Sequence, residues 1–292
     1  MAAAAFIETA GNQKKILLLT LPNRLLLPPG TRVTIDSNPP SDGPFVICVT
    51  EFCMAQHEVS IDFVRQLKAG QTLQIQAIND QKQTVAYLLP LDGFGKAYDG
   101  YPEKESVDAK RVREWSQHVL QARGPAVAAA QPGQHISLVY SAWVKLCGKN
   151  PQDPNAKELC QTMKEAHKES GEFVAAAALI EIAGEPKKIL QLILPTSLVL
   201  ASGTRVTVDS NPPSDGPFII CAPEFCMAQH EVTEDFVRKL KFGRTLQIQA
   251  INDQRLTASY LLPLADFANA HVGPPTDPKV WEQKKMQLLK LR

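Results

Sequence analysis

Alternating apolar and polar residues along the chain predict a succession of short β-strands. In Thr72–Ile78, leucine, isoleucine and alanine alternate with glutamine, which is the period of a half-buried strand. Asn79 and Asp80 form a turn signal before a second apolar run, Thr84–Leu89, so these two strands are predicted to form a hairpin. Further strands are predicted over Ile16–Leu21, Thr31–Asp36 and Phe45–Val49.

One short helix interrupts this succession of strands. Phe63, Val64 and Leu67 have helical spacing within Asp62–Ala69, and Gly70 is placed as a C-terminal cap. Many short strands, closely spaced turns and a single small helix are typical of an antiparallel β-sandwich or barrel.

The same pattern occurs twice in the chain, at an offset of 173 residues. Ala2–Gly100 aligns with Ala175–Gly273 without a gap, and roughly seven positions in ten are identical. Identical runs include Asp36–Phe45 and Glu51–Val59. The chain is therefore predicted to contain two tandem domains, here called the first and second units.

The stretch between the two repeats predicts a helix and a linker. Glu103–Ala122 has apolar residues on one helical face, and Gly124–Gly133 is rich in proline, alanine and glycine. The predicted boundaries are 1–101 for the first unit, 102–135 for the helix and flexible linker, 136–275 for the second unit, and 276–292 for a helical tail.

The two units differ at their front ends. Ile136–Phe173, which contains Trp143, Cys147 and Cys160, has no counterpart before the first repeat, because Met1 stands where the second unit has Val174. We expect the first unit to be N-terminally incomplete, either because the recorded start is wrong or because the domain is truncated.

Composition and charge exclude several classes of function. The chain has 292 residues, 44% of them hydrophobic, and a net charge of +1, so no general field attracts nucleic acid. Apolar stretches such as Ile16–Leu21 are far shorter than the roughly 20 residues of a transmembrane helix. The first residues lack the basic segment of a secretory signal.

The six cysteines fall into three local pairs, and paired cysteines indicate disulfides formed in an oxidising compartment. Reduced, buried cysteines in a cytosolic protein are the alternative. The expected disulfides are Cys48–Cys53, Cys147–Cys160 and Cys221–Cys226.

A histidine follows two of these pairs and raises the hypothesis of a metal site. Cys-x4-Cys-x3-His occurs as Cys48, Cys53 and His57 and again as Cys221, Cys226 and His230. Thiolate and imidazole are zinc ligands, but a structural zinc site needs four, and the first unit offers no fourth cysteine or histidine at ligand spacing. No Ser-His-Asp or glycine-rich phosphate signature is present, so no catalytic residue, cofactor or enzymatic activity is predicted.

The motifs of the second unit together resemble the invasion-associated locus B family of proteobacterial envelope proteins. The resemblance covers Ile136–Ala270 completely and Ala3–Gly100 without the front segment. The motifs that carry it are Trp143-x3-Cys147, Cys160, Leu194-Pro195, Pro217-Phe218-x-x-Cys221, Cys226-x-Ala228 and Leu240-Lys241-x-Gly243.

This resemblance implies a mainly β fold, with tandem immunoglobulin-like antiparallel β-sandwiches and short helices. It implies a periplasmic, secreted or outer-membrane-associated protein without catalytic residues. The expected function is that of a non-enzymatic, disulfide-stabilised envelope protein that acts through surface contacts, in host-cell entry or in envelope maintenance. Its partner would be an envelope protein or a host-cell surface. The alternative is a periplasmic small-ligand or metal-binding module that uses the Cys-x4-Cys-x3-His corner.

Overall fold

The computed structural model of the protein describes residues 2–8, 15–100, 138–149, 153 and 155–283. The helix and linker predicted at 102–135 lie outside these residues, as does the end of the predicted tail from residue 284 onward.

Each unit is built mostly from short strands. The first unit contains β1 (Ala3–Glu8), β2 (Lys15–Leu21), β3 (Thr31–Ile35), β4 (Ser41–Gly43), β5 (Phe45–Cys48), β6 (Cys53–Val59), α1 (Ile61–Ala69), β7 (Thr72–Ile78), β8 (Thr84–Pro90) and α2 (Phe94–Asp99).

The second unit repeats this order, adds three strands at its front and has one further short strand, β14. It contains β9 (Leu138–Tyr140), β10 (Val144–Gly148), β11 (Leu159–Lys168), β12 (Phe173–Ile182), β13 (Lys188–Leu194), β14 (Leu198–Val199), a 3-10 turn (Leu200–Ser202), β15 (Thr204–Val208), β16 (Ser214–Gly216), β17 (Phe218–Cys221), β18 (Cys226–Val232), α3 (Glu234–Phe242), β19 (Thr245–Ile251), β20 (Thr257–Pro263) and α4 (Phe267–Val272). Residues 278–283 are also helical.

Two antiparallel sheets form each unit, which confirms the predicted fold class. In the first unit the strand orders are β1-β2-β6-β5 and β4-β3-β7-β8. In the second they are β10-β11-β12-β13-β18-β17, with β9 beside β11, and β16-β15-β19-β20. Side chains from both sheets, such as Leu19 and Ile75, are fully buried in one hydrophobic core. None of the helices formed by the described residues is long and apolar enough to cross a membrane.

The predicted hairpin forms as the alternation requires. Burial along Thr72–Ile78 alternates residue by residue, and its partner strand is Thr84–Pro90. The helix begins after Ser60, whose hydroxyl accepts a hydrogen bond from the backbone N–H of Phe63. Gly70 ends the helix with an ordinary φ of −79°, so its backbone conformation does not require a glycine. The requirement is steric, because a Cβ there would lie 2.5 Å from the side chain of Ile35.

A reciprocal pair of strand contacts joins the two units. Val199 of β14 pairs with Ile47 of β5, and Leu26 forms the equivalent bridge to Ile220. The matching backbone hydrogen bonds are from Ser197 N to Cys48 O, 2.9 Å, and from Arg24 N to Cys221 O, 2.8 Å. Because these positions are related by the 173-residue offset, each unit gives the other the same contact, as in a two-fold symmetric dimer.

Candidate functional site

Each of the three cysteine pairs is joined in a disulfide. Cys48–Cys53 and Cys221–Cys226 link the neighbouring strands β5 and β6, and β17 and β18. Cys147–Cys160 links β10 to β11 in the front segment of the second unit. A cysteine in a disulfide offers no thiolate to a metal ion. All six sulfur atoms therefore cross-link strands in this structure.

His57 lies on the same strand as Cys53 but far from its sulfur. His57 is four positions further along the extended chain, which corresponds to about 13 Å. Its imidazole is fully buried, and Nε2 lies 2.8 Å from the hydroxyl of Thr31. The second unit repeats this contact between His230 and Thr204, also at 2.8 Å. In this structure the Cys-x4-Cys-x3-His motif therefore does not bring free thiolates and the imidazole together as metal ligands.

The histidine corner is closed by a glycine that has no room for a side chain. Thr31 Oγ1 lies 3.2 Å from the carbonyl oxygen of Gly43, to which it donates. This leaves the hydroxyl oxygen to accept from His57 Nε2–H. A Cβ on Gly43 would stand 2.6 Å from the imidazole ring. Sequence reasoning missed both the threonine and the glycine, although both are identical in the two repeats.

Burial sets the charge state of both histidines. It lowers the pKa of His57 and of His230 from 6.5 to about 4, because the loss of solvation outweighs the opposing charge of Asp42 and of Asp215, respectively. Nδ1 of each ring is buried without a hydrogen-bond partner. Both histidines are therefore neutral at pH 7 and out of reach of a substrate.

An exposed charged pair lies beside this corner. Arg32 holds Asp42 through two hydrogen bonds of 2.8 and 3.0 Å, and this guanidinium lowers the pKa of the Asp42 carboxyl. Arg205 and Asp215 form the same exposed pair in the second unit. Exposed ion pairs of this kind contribute little to the stability of the fold. Because each carboxylate is held by its arginine, the pair leaves no free acid or base for catalysis.

Among the described residues, one group of three potential metal ligands has its ligand atoms within 4.8 Å of one another: Cys147, Glu158 and Cys160. Two of these three form a disulfide. Glu158 alone cannot hold a metal ion. The role of this group is therefore structural, because its disulfide joins β10 to β11 in the front segment.

The front segment places a tryptophan against the core of the second unit. The indole of Trp143 meets the ring of Phe267 edge to face, with centroids 4.9 Å apart. Its Nε1 donates to the carbonyl of Pro263 at 2.9 Å. Lys164 donates to the same carbonyl at 3.1 Å, and burial lowers the pKa of its amine. The sequence analysis identified Trp143 only as part of a motif, and it did not identify Lys164 as a buried partner of this tryptophan.

Comparison with known protein families finds a match on both repeats. The family model described as "Invasion associated locus B (IalB) protein" matches residues 1–102 and 143–275. A crystal structure of invasion associated protein B from Bartonella henselae is similar with a TM-score of 0.38 and 14% identity, over 46% of this chain and 93% of that chain. No curated protein matches significantly. The family match falls on both repeats and covers most of the sequence, and the chain therefore belongs to the invasion-associated locus B family.

Proposed function

We propose that this protein is a non-enzymatic binding protein of the bacterial envelope or secreted fraction, which acts through contacts of its surface with another protein. Host-cell entry and envelope maintenance are the two settings in which such contacts would serve.

One observation carries this proposal: the corner with the best candidates for chemistry is sealed in both units. His57 and His230 are 0% and 1% exposed, and the cysteines beside them form disulfides. A catalytic acid or base must come within hydrogen-bond reach of its substrate. The residues that remain available for recognition are therefore those of the surface.

The arrangement of the units supports a role in binding. The reciprocal contacts, Val199 with Ile47 and Leu26 with Ile220, fix two related surfaces in one orientation. Two linked binding surfaces raise apparent affinity when their partner presents repeated sites. Avidity of this kind requires equivalent binding surfaces on the two units. Only surfaces that are present in both units can therefore contribute to it.

The disulfides support an envelope or extracellular location. Disulfides persist in the periplasm and outside the cell and are rare in the cytosol. In this structure all six cysteines are paired and none is free.

Cell fractionation combined with thiol alkylation tests the location. We expect the chain, expressed from its own locus, to be recovered in the periplasmic or secreted fraction with its six cysteines resistant to alkylation before reduction. Recovery in the cytoplasm with alkylatable thiols, or with bound zinc, would contradict the proposal.

Complementation tests the absence of catalysis. A deletion strain is compared for detergent sensitivity and host-cell entry after return of the wild-type gene or of the His57→Gln and His230→Gln variants. We expect both variants to restore the wild-type phenotype. A variant that folds, by circular dichroism, but fails to restore it would indicate a chemical role for the histidine.

A further inference from the structure

The three disulfides differ in how well the fold shields them from solvent. All four cysteines of Cys48–Cys53 and Cys221–Cys226 are 0% exposed and belong to the hydrophobic core. Cys147 and Cys160 are only half-buried and are not among the buried residues of that core. Exchange at a disulfide depends on access to its sulfur atoms, so the three bonds should differ in reactivity.

The contact between the two units covers the buried disulfides. The carbonyl of Cys48 accepts a hydrogen bond from the backbone N–H of Ser197 at 2.9 Å, and the carbonyl of Cys221 accepts one from Arg24 at 2.8 Å. Each donor belongs to the opposite unit. A thiol reaches these sulfur atoms only after local opening of the structure, which costs free energy before any bond is exchanged.

The Cys147–Cys160 disulfide lies at the open end of a hairpin. Cys147 is opposite Cys160 near the end of β10, and the last pair of this ladder, Gly148 with Leu159, is exposed on both strands. A Cβ on Gly148 would meet nothing within 4 Å. Among the described strands, β10 pairs with β11 alone. The described residues therefore leave this end of the hairpin open to an approaching molecule.

The rest of β10 is held by contacts that do not need this disulfide. Trp143, just before the strand, packs edge to face on Phe267. The carbonyl of Lys145 accepts a hydrogen bond from the backbone N–H of Thr276 at 2.7 Å. Breaking the disulfide would therefore release the end of the hairpin while the second unit stays folded.

We propose that Cys147–Cys160 is a site of thiol–disulfide exchange with a protein dithiol, and that the other two disulfides take no part in it. A thiolate of the partner attacks one of the two sulfur atoms and forms a mixed disulfide. The other cysteine leaves as a thiolate and takes up a proton. The partner's second thiol then loses its proton and attacks the mixed disulfide. The partner leaves oxidised, Cys147 and Cys160 remain as two thiols, and two electrons have passed to this chain.

The inference goes beyond the proposed function, because it gives the front segment a reversible chemical change. Reduction would separate the end of β10 from the exposed Leu159 of β11. The buried histidines and the contact between the units would stay as they are. The reverse steps, with an oxidised partner, would restore the disulfide.

A carboxylate beside this disulfide should slow the exchange. An oxygen atom of Glu158 lies within 4.8 Å of both sulfur atoms, and its negative charge repels an incoming thiolate. In water, a unit charge at this distance changes a rate by about 2- to 4-fold, so Glu158→Gln should accelerate reduction by that factor. Glu172→Gln is the matched control, because Glu172 is also exposed but lies beyond the opposite end of β11.

Limited reduction of the folded full chain tests the site. The chain is treated with dithiothreitol without denaturant, alkylated at successive times and mapped by mass spectrometry. We expect Cys147 and Cys160 to be alkylated at least about 100-fold faster than the other four cysteines, because those require local opening. Circular dichroism should stay unchanged. Equal rates at all three disulfides, or earlier modification of Cys48–Cys53 or Cys221–Cys226, would overturn the inference.

A thioredoxin variant whose resolving cysteine is replaced by serine tests access by a protein dithiol. We expect it to be trapped in a mixed disulfide with Cys147 or Cys160, identified by peptide mapping. The chain with Cys147→Ser and Cys160→Ser is the control and should trap none. Absence of the adduct from the wild-type chain, or an adduct at another cysteine, would count against the proposal. The location of the protein and the phenotype of the deletion strain judge the proposed function separately, since neither depends on which disulfide exchanges.

Discussion

The imidazole Nε2 of His57 lies 2.8 Å from the hydroxyl of Thr31 inside the first unit, and His230 and Thr204 repeat the contact at the same distance. Since the threonine hydroxyl donates to the carbonyl of Gly43, the histidine is the donor in this pair. The geometry therefore selects the neutral ring with its proton on Nε2.

Acid should destabilise the protein through these two histidines. Their pKa is about 4 in the folded state and about 6.5 in the unfolded state, so the unfolded state binds protons first as the pH falls. The stabilisation is complete above pH 6.5 and is lost between pH 6.5 and 4. Between pH 7 and 4.5 the loss is on the order of 2 kcal/mol for each histidine, measured by urea unfolding.

The control is the double variant His57→Gln/His230→Gln. Glutamine can still donate to the threonine and does not titrate, so the free energy of unfolding should change much less over the same pH range. Glu181, whose pKa is lowered to about 2 chiefly by its hydrogen bond to His271, loses its own contribution below about pH 4.5 and does not confuse this comparison. An unchanged pH dependence in the double variant would assign the effect to other groups.

Gly43→Ala should destabilise the first unit without altering any polar group. The new Cβ would lie 2.5 Å from the carbonyl oxygen of Gln56 and 2.6 Å from the ring of His57, and a backbone oxygen in a strand cannot easily move away. Overpacking of this kind costs roughly 1–3 kcal/mol or more. Gly148→Ala is the matched control, because a Cβ there meets nothing within 4 Å. Equal free energies of unfolding for the two variants would contradict the geometry.

The elements with regular periodicity were predictable from the sequence. The hairpin of Thr72–Ile78 with Thr84–Pro90 and the helix Ile61–Ala69 follow from apolar residues at period two and at helical spacing. The C-terminal cap at Gly70 was also predicted and is confirmed. Its backbone is extended, and the close approach of Ile35 is what leaves no room for a side chain there.

Strand β6 shows why other elements were not predictable. It lies between β2 and β5, and its centre carries Gln56 and His57, both buried. Buried polar residues remove the alternation on which a strand prediction depends. The bridge between Leu26 and Ile220 was hidden for a different reason, because no local pattern records which distant segment a short strand meets.

Cysteine pairs should cross-link the two units at both reciprocal contacts. Leu26 is bridged to Ile220, and Val199 is paired with Ile47, and directly opposed antiparallel residues have Cα separations compatible with a disulfide. We expect Leu26→Cys/Ile220→Cys and Ile47→Cys/Val199→Cys each to give one new disulfide in non-reducing peptide mapping. Leu26→Cys/Ile47→Cys, within one unit and not opposed, is the control. Cross-linking of only one reciprocal pair would show that the two-fold relationship is broken.

Truncation of Trp143 should loosen the second unit while leaving the first intact. Trp143→Ala removes the edge-to-face contact with Phe267 and the hydrogen bond to Pro263, at an expected cost of about 3–5 kcal/mol. Trp143→Phe keeps an aromatic ring and loses the hydrogen bond, so it should cost about 1–2 kcal/mol. In hydrogen exchange, amide protection should fall in Thr257–Pro263 and stay unchanged in the equivalent strand Thr84–Pro90, because no described tryptophan packs against that strand in the first unit. An equal loss of protection in both strands would mean that the front segment stabilises the chain as a whole, and not only the second unit.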